Sequence, residues 1–111
     1  MSQTQRFTTA LDALFSTIEA RKGSDPSQSY TAKLLSQGPV KAAQKLGEEA
    51  IETALAAALN DADGIAGESA DLIYHWLVLL CASGVSLDAV AAKLEARVGR
   101  SGLDEKASRP G

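Results

Sequence analysis

The sequence predicts an all-α fold: an antiparallel helical bundle of about four main helices plus a short one. Three observations carry this. Apolar residues fill 45% of the 111 positions, much of that alanine, while aromatics are only 5%. Alanine-rich chains with few β-branched or aromatic residues favour helix. Apolar residues recur at three- and four-residue spacing in successive segments. Glycine, proline and serine sit between those segments, where helices stop and start.

Taken in order, Phe7, Leu11, Leu14, Phe15 and Ile18 form one stripe, about four turns of amphipathic helix. Arg21 and Lys22 suit its negative C-terminal end, and Gly23 stops it. Asp25-Pro26 marks a loop. Ser29 is placed to cap a short helix from Tyr30 to about Gln37. Gly38-Pro39 breaks that segment, with the proline at the first turn of the next helix, residues 39–59. Its expected apolar stripe is Val40, Ala43, Leu46, Ala50, Ala54 and Ala58, with Lys41, Lys45, Glu48, Glu49 and Glu52 in a sector on the other side. The run Asn60-Asp61-Ala62-Asp63-Gly64 reads as a turn that folds the chain back.

The third main helix is expected over residues 65–82, closed by Gly84. Glu68, Asp71 and His75 share a face in its first half. The run from Leu72 to Ala82 is apolar nearly all round, and such a helix must be buried on every side. So short a chain has few helices to surround it, so a homodimer is expected. Ser86 caps the last helix, with Leu87, Val90, Ala91, Leu94 and Val98 as its stripe and Gly99 as its end. Residues 1–111 form a single domain, of which about 101–111 are a polar tail.

Composition bounds the function. The formal net charge of −3 offers no basic field for a nucleic-acid backbone. The apolar run 72–82 is shorter than the roughly 20 residues that span a bilayer, and residues 1–5 carry no signal-peptide pattern. The single cysteine, Cys81, forms no internal disulfide, which suits the reducing cytoplasm. The expectation is a cytoplasmic protein with neither nucleic acid nor membrane as partner.

The chemistry is expected from carboxylates. Glu48, Glu49 and Glu52 cluster on one helix, and Glu68 and Asp71 on the next. Folded together, they pool up to five acids. Two carboxylates about 6 Å apart repel by roughly 3 kcal/mol, so several pairs burden a fold of about 5–15 kcal/mol. Either some take up protons or a cation neutralises them. Oxygen ligands favour Mg²⁺, Mn²⁺ or Ca²⁺ over zinc. A di-iron centre needs Glu-x-x-His on two helices; here Glu68-x-x-Asp71 stands instead, and His75 is the only histidine. Alone, Glu48-Glu49-x-x-Glu52 is the pattern of a solvated face, and the second acidic pair is what argues for an ion. His75, Trp76 and Cys81 read as structural. Lys41 and Lys45 read equally as surface charges and as phosphate contacts.

Glu48-Glu49-x-x-Glu52 followed by Glu68-x-x-Asp71 resembles the signature of the all-α, MazG-like NTP pyrophosphatases. Ser29-Tyr30-Thr31, Lys45-Leu46-Gly47-Glu48-Glu49-Ala50-Ile51-Glu52 and Glu68-Ser69-Ala70-Asp71-Leu72-Ile73-Tyr74-His75 narrow the likeness to the phosphoribosyl-ATP pyrophosphatase family of histidine biosynthesis. The likeness spans roughly residues 7–97. It implies Mg²⁺-dependent hydrolysis of the α–β phosphoanhydride of phosphoribosyl-ATP to phosphoribosyl-AMP and pyrophosphate, with Mn²⁺ as a substitute ion. It further implies Glu49, Glu52, Glu68 and Asp71 as metal ligands, and Glu48 as a further ligand or the group orienting the attacking water. Lys33, Lys41 and Lys45 are then candidates to hold phosphate oxygens. Two other readings stand beside it: a pyrophosphohydrolase of non-standard nucleoside triphosphates on the same scaffold, and a non-catalytic helical dimerisation module.

Overall fold

A computed structural model describes residues 1–98, which form five α-helices and no strand. They are α1 (Gln3–Ala20), α2 (Tyr30–Ser36), α3 (Pro39–Ala58), α4 (Ala62–Ser83) and α5 (Leu87–Glu95). The last helix ends at Glu95, with Ala96 as its C-cap, short of the expected end at Gly99; the polar tail from 101 lies outside the described residues.

Local chemistry explains the boundaries. Ser2, Ser29 and Ser86 each accept a hydrogen bond from a backbone N–H three residues on, satisfying a donor that the first helical turn leaves open. α1 ends two residues before the expected stop, with Arg21 as its C-cap, while Gly23 takes φ 83° in the loop beyond. Lys22 does not serve the end of α1. Its Nζ donates to the Cys81 carbonyl at 3.4 Å, putting its charge on the last turn of α4 instead.

The turn between α3 and α4 is tighter than expected. Asn60 sits at φ 54°, a conformation asparagine tolerates better than most residues. The Asp61 N–H bonds back to the Ala56 carbonyl at 3.1 Å and the Asn60 N–H to Ala57 at 3.0 Å, closing α3 in a Schellman pattern. Asp61 then caps α4 through Gly64 N–H at 2.9 Å. Ala62, Asp63 and Gly64 therefore belong to the first turn of α4 rather than to the turn before it. A Cβ on Gly64 would lie 2.3 Å from the Asp61 carboxylate, so the missing side chain is what lets this cap close. Gly84, at φ 69°, ends α4 as expected, with the Val85 N–H returning to the Leu80 carbonyl at 2.9 Å.

α3 and α4 pack against each other along most of their length, and α1 and α2 lean on α4. The core gathers Phe15 and Ile18 of α1, Leu34 of α2, Ala42 of α3, and Leu77, Val78, Leu80 and Cys81 of α4. α4 is longer than the apolar run alone suggested, and its 22 residues are long and apolar enough to cross a bilayer. Yet Leu77 and Val78, in its second half, are the fully buried centre of this core. Leu77→Ala is expected to cost about 2–5 kcal/mol, the usual range for a buried leucine, read as a fall in the denaturation midpoint.

The rotation of α3 differs from expectation. The face it turns inward is Ala42, Leu46, Glu49, Thr53 and Ala56, which keeps only Leu46 of the predicted stripe. Val40 is 85% exposed, and Ala43, Ala50, Ala54 and Ala58 also face out. Alanine on nearly every side gives α3 no strong apolar direction, so docking against α4 decides which face is buried. The large side chains Ile51, Leu55 and Leu59 are left exposed. In α5, Leu87 and Val90 pack on the core while Ala91 and Leu94 remain open, as does Val98 in the turn beyond the helix.

Candidate metal and phosphate site

Because α3 and α4 run antiparallel, inward residues of one meet inward residues of the other. Glu49, Glu68 and Asp71 each bring a carboxylate oxygen to within 4.8 Å of the others. Glu49 and Glu68 are half-buried and Asp71 is exposed, so the cluster opens to solvent at one side. Glu52, itself exposed, lies close enough for its charge to act on Glu68. The Glu68 carboxyl is pushed above 4.5, first by loss of hydration and then by the charges of Glu52, Glu49 and Asp71.

Two oxygens of this cluster, Glu49 Oε2 and Glu68 Oε2, are buried and accept no hydrogen bond. Buried carboxylate oxygens without donors are costly unless something cationic meets them. A hard divalent cation, which takes oxygen ligands, fits this donor set.

Glu48 does not join the three. Its carboxylate lies on the outer side of α3, accepting from Gln44 Nε2 at 3.2 Å and paired with Lys45 Nζ at 3.4 Å. The Gln44 hydrogen bond, then the Lys45 charge, hold its carboxyl below the usual glutamate range.

Lys33, Lys41 and Lys45 line one groove with Tyr30, Leu34 and Gln37, with a volume of about 240 Å³. Lys41, Lys45 and Glu49 follow one another at four-residue spacing, so the two groove lysines of α3 and the acid of the cluster lie along one side of that helix.

Two contacts were not visible in the sequence. His75 is 7% exposed, and its Nε2 lies 3.9 Å from Glu49 Oε1. The only signal for it was the shared face of Glu68, Asp71 and His75. Tyr74 and Thr31 share a hydrogen bond of 2.5 Å between their hydroxyls, tying α2 to α4. Burial pushes the Tyr74 phenol up, against the opposing effect of the Thr31 bond.

Comparison with known proteins converges with this geometry. Residues 11–98 match the family described as phosphoribosyl-ATP pyrophosphohydrolase. The chain is 67% identical over 105 residues to a phosphoribosyl-ATP pyrophosphatase of Caulobacter vibrioides, covering 95% of this chain and 97% of that protein. It is 60% identical over 99 residues to one from Parvibaculum lavamentivorans, covering 89% and 91%. Against one from Rhodobacter capsulatus it is 54% identical over 101 residues, covering 91% and 98%. The all-helical fold, the paired acidic motifs and these matches agree: the chain belongs to the phosphoribosyl-ATP pyrophosphohydrolase family.

Proposed function

We propose that this protein hydrolyses the α–β phosphoanhydride of phosphoribosyl-ATP, releasing pyrophosphate and phosphoribosyl-AMP, as a step of histidine biosynthesis in the cytoplasm. The observation that carries the reading is the meeting of Glu49, Glu68 and Asp71, with two buried oxygens that no protein group satisfies. These three, with Glu52 beside them, would hold Mg²⁺ or Mn²⁺. When bound, the ion supplies Lewis acidity toward phosphate oxygens and acidifies water.

The chain's own residues do the rest. Lys33, Lys41 and Lys45 hold the polyphosphate as point charges in the adjoining groove. Glu48 keeps Lys45 in place along α3. The acidic cluster and the cationic groove then fix the phosphate chain at both ends, and positioning of this kind removes much of the entropic barrier to in-line attack. Lys41→Met is expected to raise KM roughly tenfold with little change in kcat, as for loss of a charge-assisted contact made equally in ground and transition states. Steady-state kinetics over a range of substrate concentrations checks this.

The deciding assay measures pyrophosphate release from phosphoribosyl-ATP beside a panel of ordinary and non-standard nucleoside triphosphates. Faster turnover of phosphoribosyl-ATP supports the reading. Equal or better turnover of a plain triphosphate rejects it.

We also propose that the protein is a homodimer built on the outer face of α3. Ile51, Leu55 and Leu59 are 64%, 58% and 79% exposed on that face, a patch unusual for a free monomer surface. Gly47 lies on the same helix where a Cβ would meet no neighbour, although a helix-interior glycine costs about 1 kcal/mol relative to alanine. Light scattering at micromolar concentration should report a dimer, and Leu55→Glu a monomer. A wild-type monomer would remove this part of the proposal.

A further inference from the structure

We infer that His75 is a positioning residue: its Nε2–H donates to Glu49 Oε1 and so turns the other Glu49 oxygen toward Glu68 and Asp71. The inference rests on the proposed divalent-cation site and adds a residue to it.

The imidazole is buried, and its two nitrogens have very different surroundings. Nε2 faces Glu49 Oε1 at 3.9 Å, whereas Nδ1 is buried with no partner. A carboxylate can only accept hydrogen bonds. A proton on Nδ1 alone would set a lone pair against the carboxylate and leave a buried N–H with no acceptor, an arrangement native proteins avoid. A proton on Nε2 alone resolves both problems, leaving only an unused lone pair at Nδ1. Nε2 is therefore the nitrogen that must carry a proton toward Glu49 in this pocket.

At 3.9 Å the pair is short of a hydrogen bond. The terminal torsion of a glutamate is soft, so a small rotation of Glu49 closes the gap. Glu49 Oε2, buried and unpartnered, is the oxygen left for the cluster.

The ring itself is held from behind. The Tyr74 and His75 rings meet edge to face, with centroids 5.0 Å apart, and Tyr74 is anchored by Thr31 of α2. The imidazole is thus in contact with an anchored ring of its own helix while its Nε2 addresses a carboxylate of α3. A partner of this kind behind a ligand orients it, and losing such a partner commonly costs 10–100-fold in metal affinity.

The test is calorimetric titration with Mn²⁺ alone at about pH 8 on wild type, Glu68→Gln, His75→Gln and His75→Asn. The glutamine amide reaches the position of Nε2; the asparagine amide reaches only that of Nδ1. The expected result is a 10–100-fold weaker Mn²⁺ affinity for His75→Asn and recovery to near wild type for His75→Gln. Wild-type affinity in His75→Asn, or equal loss in both variants, overturns the inference while leaving the cation site standing. Failure of wild type to bind Mn²⁺ overturns the cation site and the inference with it. Nitrogen-15 spectra of the metal-free wild type give an independent reading that needs no variant to fold. An Nε2–H tautomer supports the role, and an Nδ1–H tautomer overturns it.

Discussion

Glu49→Gln is expected to lower kcat/KM for phosphoribosyl-ATP by about 10²–10³, the scale for losing one group that stabilises transition-state charge. Glu49 is the acid that docking of α3 turns inward, and it belongs to the three carboxylates whose oxygens converge. The substitution keeps the side chain's size and one neutral oxygen, so packing around Ala42 and Thr53 is not disturbed. What it removes is one negative charge from a site that needs negative charge to hold a cation. Divalent-ion affinity should fall together with activity. The metal-free fold should not suffer, since the charge removed is one of those pressing on Glu68. Near-normal kinetics with unchanged ion affinity would remove Glu49 from the site. A large loss of metal-free stability would mean instead that its carboxylate is structural.

Addition of Mg²⁺ should raise the melting temperature on the order of 10 °C. A ligand bound only by the native state at 100 times its Kd contributes about 2.7 kcal/mol, and each kcal/mol moves Tm by about 4–8 °C in a domain of roughly 60–100 residues. The effect should depend on pH in a defined direction. The Glu68 carboxyl is raised above 4.5 in the folded protein, so its ionised form is disfavoured by folding. Without metal, Glu68 therefore lowers stability above its folded pKa, and that cost is relieved as pH falls toward 4.5. The ion requires the ionised form, so its stabilising effect is full above the folded pKa and fades below it. Scans with and without Mg²⁺ at fixed protein concentration should converge on acidification, and Glu68→Gln should flatten the metal-free slope. A gap that does not narrow as pH falls through the carboxylate range would show that this acid has no part in ion binding.

Much of the fold was legible because its signals are short-range. Ser29 and Ser86 cap helices through a hydroxyl reaching three residues, Pro39 opens α3, and Gly84 closes α4 in a left-handed conformation. Each can be read from a handful of neighbours. The start of α4 was misplaced by three residues because Asp61 does two jobs at once, receiving the end of α3 and capping α4. Asp63 and Gly64 look like turn residues, and in the presence of that cap they are helical. The acidic pair motifs were legible too, since residues three or four apart must share a face, and the three lysines named as phosphate contacts line a common groove.

By itself, the sequence determined which segments are helices, that acids of two successive helices could meet, and which family the chain joins. Tertiary structure alone decided that Glu49 faces inward while Glu48 faces out, that Ile51 and Leu55 are uncovered, that Lys22 serves α4, and that His75 stands behind Glu49. The physical reason is one of range. Caps and helix faces are set by bonds a few residues long, whereas the rotation of one helix against another is set by the packing of the whole interface. In α3, where alanine makes several rotations nearly equal in apolar area, only that packing could choose.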